Sequence, residues 1–415
     1  MTKNLFYAQS GGPTAVINSS ACGLIETARK HNDKIGQIYV GRHGILGALN
    51  EDLINTAHET SEAIAALRHT PAAAFGSCRH KLKPLSEDES EYKRIIEVFK
   101  AHNIGYFFYN GGNDSQDTTD KISQVSIELG YPLTCIGIPK TIDNDLPITD
   151  CCPGFGSVAK YVAVSTKEAA LDVMSMKTTS TKVFILEVMG RHAGWIAAAA
   201  GLANSEIGEA PHIILFPEIA FDAKKFASQI KQCVEDYGYC VIVASEGIQY
   251  ENGQFVSDSG TRDAFGHAKL GGVAPALATI VRDELGYKEH WAIADYLQRS
   301  ARHIASKTDV EQAYALGAKA VEFALDGRTD VMMTVKRQSS QPYTWTVDCA
   351  PLSEVSNVEN KMPRDFINET GTGITQKCRD YMFPLIQGED YPPYHNGTPV
   401  FTKLKLVSEP KKLDN

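Results

Sequence analysis

This chain of 415 residues lacks several signatures that would fix its class at once. No apolar run approaches the roughly 18 residues that a membrane-spanning helix requires, so no membrane span is expected. The opening stretch MTKNLFYAQSGGP is too short and too polar to read as a signal peptide. Positive charge is not in excess. Lys and Arg number 41 against 50 Asp and Glu, a formal net charge of −9, which argues against general affinity for nucleic acid. A local site for an anion is not excluded, because local charge overrides the net sign. No CxxC pair has a partner pair elsewhere, so no zinc site is expected among the nine cysteines. Their odd number, with Cys151 and Cys152 adjacent, points to reduced thiols and a cytoplasmic protein. No G-x-G-x-x-G follows the first strand-like segment, which weakens a dehydrogenase reading. Internal repeats, heptads and low-complexity tracts are also missing.

What is present is ordinary globular material, 43% hydrophobic, and long enough for two or more domains. Strand-like and helix-like segments alternate. KNLFYAQS reads as a strand ending in Gly11-Gly12-Pro13, with a helix following from about Thr14 to Lys30. GQIYVGR, IGYFFYN and YPLTCIGI read as further strands, and SEDESEYKRIIEVFKAHN and DSQDTTDKISQVSIELG as helices between them. Beyond residue 150 the alternation continues. TKVFILEVMG, APHIILFPE and YCVIVASEG are strands, HAGWIAAAAGLA and DAKKFASQIKQCVEDYG helices. Residues from about 265 to 325 read as mostly helical, and TDVMMTVKR as a late strand. Strand, Gly-rich turn, helix, strand is the pattern of a parallel sheet. The expected fold is α/β: two Rossmann-like lobes with parallel-rich sheets, a cleft between them, and a C-terminal extension. The expected boundaries are 1–152 plus about 298–345, then 153–297, then 346–415 as an extension packing on the lobes.

Three loops close apolar strands: SGGPT at 10–14, NGGNDS at 110–115 and PKTIDNDLP at 139–147. A Gly-Gly pair before a helix lets backbone N–H groups converge on an anion, helped by the helix dipole. Two such turns in neighbouring βα units imply a phosphate-rich ligand held by main chain. Phosphoryl transfer then needs a clamp on the donor, a metal and a base. Asp143 is the candidate base, and Lys140 offers a compact charge to phosphate oxygens. Asp145 and the GGND loop, with Asn113, offer oxygen to Mg²⁺ or its waters. From the second lobe, EVMGRHAGW offers Met189, Gly190 and Arg191, ASEG offers Glu246, and DYLQRS offers Tyr296 and Arg299. Each has a plainer reading: a Met after a strand is often core, an Arg there a surface ion pair, and Tyr296 at helical spacing from Arg299 simple packing.

SGGPTAVIN, FGSCR, GGND, PKTIDND, EVMGR, ASEG and YLQR stand in the order found in the phosphofructokinase family, from residue 10 to residue 299. The chain resembles that family, and TIDND together with EVMGR is highly specific to it. The resemblance implies a phosphate-donor lobe and a sugar-phosphate lobe, and transfer to the 1-hydroxyl of fructose 6-phosphate with Mg²⁺. It makes Asp143 the base. Thr141, Ile142, Asp143, Met189, Gly190, Arg191, Glu246, Tyr296, Leu297, Gln298 and Arg299 match positions on the sugar side. Gly11, Gly12, Gly112 and Arg79 match the donor side. Two positions bear on the donor. ATP-using members carry Gly before TIDND and a small residue after GGD. Lys140 and Asp114 stand there, which resembles the pyrophosphate-dependent branch. A carboxylate at 114 takes the room and opposes the charge of an ATP α-phosphate. Departures are Asn113, where many members have a metal-serving Asp, and Tyr296, where bacterial ATP enzymes carry His. Lys182 and His290 stand near positions where those enzymes use Arg from a neighbouring subunit. A homodimer or homotetramer fits the family, and sedoheptulose 7-phosphate is a plausible second sugar. The alternatives are an ATP-dependent enzyme and a non-catalytic sugar-phosphate-binding subunit.

Overall fold

The computed structural model describes residues 2–206, 208–262, 268–270 and 272–413. The chain divides into two compact units: Met1–Ser157 with Ser300–Glu359 and Gly388–Asn415, and Val158–Arg299 with Asn360–Gln387. The strands in chain order are β1 (Lys3–Gln9), β2 (Ile35–Gly41), β3 (Leu53–Asn55), β4 (Ile104–Gly111), β5 (Thr134–Pro139), β6 (Val183–Val188), β7 (Ile213–Leu215), β8 (Cys240–Ser245), β9 (Asp258–Arg262), β10 (Ala268–Leu270), β11 (Glu289–Ile293), β12 (Val331–Ser340) and β13 (Tyr343–Pro351).

The first unit is built on a seven-stranded sheet, ordered β13-β12-β5-β4-β1-β2-β3. The five strands from β12 to β2 run parallel, and β3 and β13 close the edges antiparallel. Both faces of the parallel part are covered, so its strands are near-continuous apolar runs rather than alternating ones. Tyr7, Phe107 and Phe108 are accordingly shut off from solvent. On one face Phe6, Phe99 and Phe107 meet at ring-centroid distances of 5.0 to 6.0 Å. Each buried ring contributes about 1.5–3 kcal/mol of hydrophobic stabilisation.

The helix Ile17–Lys30 packs closely on the helix Lys307–Leu325. A side-chain carbon on Gly317 would stand 2.0 Å from the Ser20 carbonyl oxygen, and one on Gly23 would stand 2.1 Å from that of Tyr314. Only glycine permits that approach. Ser306 caps the second helix through the Asp309 N–H.

The second unit carries a four-stranded parallel sheet, ordered β11-β6-β8-β7. β9 and β10 form an antiparallel ribbon. The helix Ala223–Tyr237 starts where Asp222 accepts the N–H groups of Lys224 and Lys225, and stops at Gly238 with φ of 82°. The mixed α/β, parallel-rich architecture is the one expected from the alternating pattern.

Local differences have physical causes. β11 interrupts the stretch expected to be mostly helical. Its sequence EHWAI lies half exposed at the sheet edge, so it shows no continuous apolar run. Residues 263–267 and 271 of that stretch lie outside the described residues. β13 also runs into the segment expected, from residue 346, to be an extension. The last segments are tied down by hydrogen bonds to their backbone. Asn55 N–H donates to Val407 O at 2.9 Å, and Glu409 N–H to Leu53 O at 2.7 Å. In the second unit Ile214 N–H donates to Thr372 O at 2.9 Å, and Trp195 Nε1 to Asn360 O at 3.0 Å.

Candidate functional site

In the first unit the predicted donor-side residues lie in loops after β1, β4 and β5, at the carboxyl ends of parallel strands, where ligands bind in open α/β sheets. Gly11 has φ of 70°, in the left-handed region. Its N–H donates to Cys78 O at 2.9 Å and its carbonyl accepts from Ser77 Oγ at 2.7 Å, so the loop of Arg79 is laced to it. Arg79 itself is exposed. Lys140 N–H donates to Gly111 O at 3.1 Å, joining the second and third loops. Lys140 is buried, and its Nζ reaches the first loop, donating to Gly12 O at 2.9 Å. Gly112 leads into the helix Asn113–Glu128, with Lys140 O the nearest atom to a side-chain carbon placed there, at 3.7 Å. Gly11, Gly12, Gly112 and Lys140 are thus brought together.

The TIDND turn is held from both sides. Thr141 bridges to Gly154, and its Oγ1 accepts the Asp143 N–H at 3.1 Å. Asn144 adopts φ of 54°, and its Oδ1 accepts the Cys152 N–H at 2.9 Å. Ile142 is buried and Asp143 half-buried. Asp145 Oδ1 is closed off from solvent with no hydrogen-bond partner. Burial pushes the Asp145 carboxyl up, against its own backbone N–H, the Thr141 hydroxyl and, least of these, the Lys140 charge. A carboxylate in that state gains from a hard cation, so Asp145 fits Mg²⁺. Asn113 differs from the expectation of a metal ligand. Its Oδ1 accepts the Asn357 N–H at 2.6 Å and its Nδ2 donates to Val358 O at 2.6 Å, so the amide is committed to holding the 357–358 backbone. Asp114 is exposed and paired with Lys81 Nζ at 2.8 Å.

In the second unit the predicted residues sit at the carboxyl ends of β6, β8 and β11. Gly190 has φ of 128°, and its carbonyl accepts from Ser245 Oγ. Glu246 N–H donates to Val188 O at 2.9 Å. A side-chain carbon on Gly247 would meet Arg191 O at 2.0 Å, so the two turns lie against each other. Burial pushes the Glu246 carboxyl up, and the Arg191 guanidinium offsets that only in part. Gln298 is buried. Its Oε1 accepts the Met189 N–H at 3.2 Å and its Nε2 donates to Asp295 O at 3.0 Å. Met189, Gly190, Arg191, Glu246 and Gln298 therefore form one contiguous group. Tyr296 and Leu297 point outward, 62% and 65% exposed, and the Arg299 guanidinium lies 4.0 Å from the Tyr296 ring centroid.

Sequence reasoning missed three supporting residues. Lys81 pairs with Asp114 across 33 positions of chain, which no local pattern announces. Asp309 is buried and accepts from Gly154 N–H, Ser157 N–H and Ser157 Oγ, fixing the loop that Thr141 bridges to. Asn144 was in plain view inside TIDND. Asn tolerates the left-handed conformation, and that was its signal.

A family model described as Phosphofructokinase matches residues 4–324. The pyrophosphate--fructose 6-phosphate 1-phosphotransferase of Halomonas elongata is 62% identical over 410 residues, covering 99% of this chain and 98% of that protein. The protein of the same name from Methylococcus capsulatus is 62% identical over 411 residues, with 99% and 98% covered. A crystal structure of pyrophosphate-dependent phosphofructokinase from Marinobacter aquaeolei shares the fold with a TM-score of 0.92 at 61% identity, covering 99% of this chain and 98% of that one.

Proposed function

The chain belongs to the phosphofructokinase family, and from that premise we propose that it transfers a phosphoryl group reversibly from pyrophosphate to the 1-hydroxyl of fructose 6-phosphate. The products are fructose 1,6-bisphosphate and phosphate, a step of glycolysis and gluconeogenesis. The observation that carries the donor assignment is Lys140, whose ammonium group lies against the Gly11-Gly12 turn, in a chain similar over nearly its full length to proteins named for that reaction. Asp114 supports the same reading, although its charge is offset by Lys81, so its exclusion of a nucleotide rests more on volume than on repulsion.

Asp143 takes the proton from the 1-hydroxyl. The oxygen then attacks the terminal phosphorus of pyrophosphate, the bond to the bridging oxygen breaks, and phosphate leaves with the electron pair. Gly11, Gly12, Gly112, Lys140 and Arg79 hold the donor, the first three through main chain. Thr141, Ile142, Met189, Gly190, Arg191, Glu246, Tyr296, Leu297, Gln298 and Arg299 hold the sugar phosphate. Asp145 would hold Mg²⁺, which when bound supplies positive charge to the phosphate oxygens. Since a pyrophosphate bond and a phosphoric ester are close in energy, both directions run. Nine cysteines, all as thiols, suit a reducing cytoplasm, and the family resemblance supports a homodimer or homotetramer.

A coupled assay with fructose 6-phosphate tests the donor. Turnover with pyrophosphate and none with ATP is expected, and turnover with ATP alone defeats the proposal. Asp143→Asn should lower kcat by about 10²–10⁴-fold, as removal of a positioned base does. A change of less than tenfold would remove Asp143 as the base, and a wild-type protein that binds fructose 6-phosphate but turns over with neither donor would be a binding subunit.

A further inference from the structure

A second chemical cluster lies in the second unit at the opposite ends of its strands. His212 precedes β7, Cys240 opens β8, and Cys233 lies near the end of the helix Ala223–Tyr237. One imidazole nitrogen and the two sulfurs all lie within 4.8 Å of one another, the one such group among the described residues. Cys240 is closed off from solvent and Cys233 is 7% exposed. Tyr237 and Tyr239 wall the imidazole, with ring centroids 5.4 and 4.9 Å away.

The proton on His212 decides what this cluster is for. The Val241 N–H donates to His212 Nδ1 at 3.0 Å, so Nδ1 is the bare nitrogen and Nε2 carries the hydrogen. A metal-bound histidine has the reverse arrangement, donating its outer N–H to the protein and giving its bare nitrogen to the ion. Here the inward nitrogen is a donor. It is buried and makes no hydrogen bond, to sulfur or to any other atom. One ring nitrogen lies within 4.8 Å of both sulfurs, and a ring N–H at that range favours a thiolate through its charge rather than through a formed hydrogen bond.

The two sulfurs differ as a nucleophile and its resolving partner must. The Cys240 thiol as donor, and His212 after it, draw the Cys233 thiol down to about 6 against burial, while the proton it still carries at rest is donated to the Tyr239 carbonyl oxygen at 3.3 Å. Burial pushes Cys240 the other way, well above the ordinary thiol range. Burial likewise pushes up Cys22, Cys135, Cys151, Cys152 and Cys378, which makes them inert thiols.

We propose that Cys233 and Cys240 are a peroxide-sensitive modification site, closing to a disulfide, with Cys233 the nucleophile, Cys240 the resolving thiol and His212 the positioning residue. The Cys233 thiolate attacks one oxygen of hydrogen peroxide, the O–O bond breaks, and hydroxide leaves, giving the sulfenic acid. Cys240 then attacks that sulfur through its own sulfur, and the hydroxyl departs as water with the Cys240 proton. Two thiols are oxidised to one disulfide while one peroxide is reduced to two waters. A thiol donor reverses it.

The test treats the full-length protein with hydrogen peroxide, alkylates it, digests it and identifies the peptides by mass. The expected result is a peptide pair joined through Cys233 and Cys240, two hydrogens lighter than the reduced peptides and absent after dithiothreitol. Cys240→Ala should instead accumulate a dimedone adduct on Cys233. In the wild-type protein the pH profile of Cys233 alkylation should have its midpoint near 6, and His212→Phe should move it upward, toward the ordinary thiol value of about 8.5. If a variant fails to fold, the wild-type peptide map and pH profile still decide. Peroxide that leaves Cys233 and Cys240 no more oxidised than Cys135 and Cys378 overturns the proposal. So does a Cys233 midpoint above 8, or one tightly held zinc per purified chain, which would make the sulfurs metal ligands.

Discussion

The Lys140 side chain crosses from the loop after β5 to the loop after β1, where its Nζ donates to Gly12 O at 2.9 Å and lies 3.3 Å from the point a Gly11 side-chain carbon would occupy. One buried ammonium group therefore stands over the backbone turn proposed to hold the donor. Lys140→Gly should lower kcat/KM for pyrophosphate by roughly ten- to a hundredfold, the value of a charge-assisted hydrogen bond of about 1.5–3 kcal/mol. Asp114→Gly should cost less, because Asp114 is exposed and already paired with Lys81, and should open weak use of ATP. Unchanged pyrophosphate kinetics in both single variants would remove the role given to them.

Asp145 carries a buried oxygen without a partner, and Asn113 has spent its amide on the chain at 357–358. Asp145→Asn should therefore raise the Mg²⁺ concentration for half-maximal activity, by roughly tenfold or more, with little change in thermal midpoint. Asn113→Ala should do the opposite, loosening the fold locally while leaving Mg²⁺ dependence nearly unaltered. Equal half-saturating Mg²⁺ in wild type and Asp145→Asn would show that the carboxylate serves no metal.

The contact between the helices Ile17–Lys30 and Lys307–Leu325 tolerates no side chain at its crossing. Gly317→Ala places a carbon where the Ser20 carbonyl oxygen stands, 2.0 Å away, and backbone cannot yield as a flexible side chain does. The expected loss is about 1–3 kcal/mol in denaturant unfolding, the usual range for an overpacked core position. A variant as stable as wild type would mean that the helices slide apart freely.

Much of this was legible because parallel strands buried on both faces betray themselves as apolar runs. IGYFFYNG and TCIGIP end in loops whose Gly, Lys and Asp residues have few structural reasons to cluster. β11 and β13 were not legible in the same way. EHWAI is half exposed at an edge, and TVDC in β13 mixes polar and apolar residues on a partly solvated hairpin. In the site, the motif residues were visible but their restraints were not. Asp309 acts on Gly154 from 155 positions away, and Gln298 on Met189 from 109. Such partners are set by tertiary packing, which leaves no periodic trace in sequence.

The C-terminal segment is fastened to the first unit through Glu51, and this gives stability a defined pH dependence. The Glu51 side chain is closed off from solvent, as is that of His102, whose Nε2 lies 2.7 Å from Glu51 Oε1. Lys412 N–H donates to the same carboxylate at 2.6 Å and Leu413 N–H at 3.3 Å. Burial alone would push this carboxyl up. The two amides and His102 outweigh it and hold it below the ordinary value of 4.5. A carboxyl lowered on folding stabilises the native state above its unfolded value, and that contribution is lost as pH falls through the folded one. Wild-type stability should therefore fall on acidification below about pH 4.5. Glu51→Gln should be about 1.5–3 kcal/mol less stable at pH 7, the scale of a lost charge-assisted hydrogen bond, and should lose less on acidification. Urea unfolding at pH 7 and pH 4 measures both quantities, and identical acid slopes in the two proteins would refute the assignment.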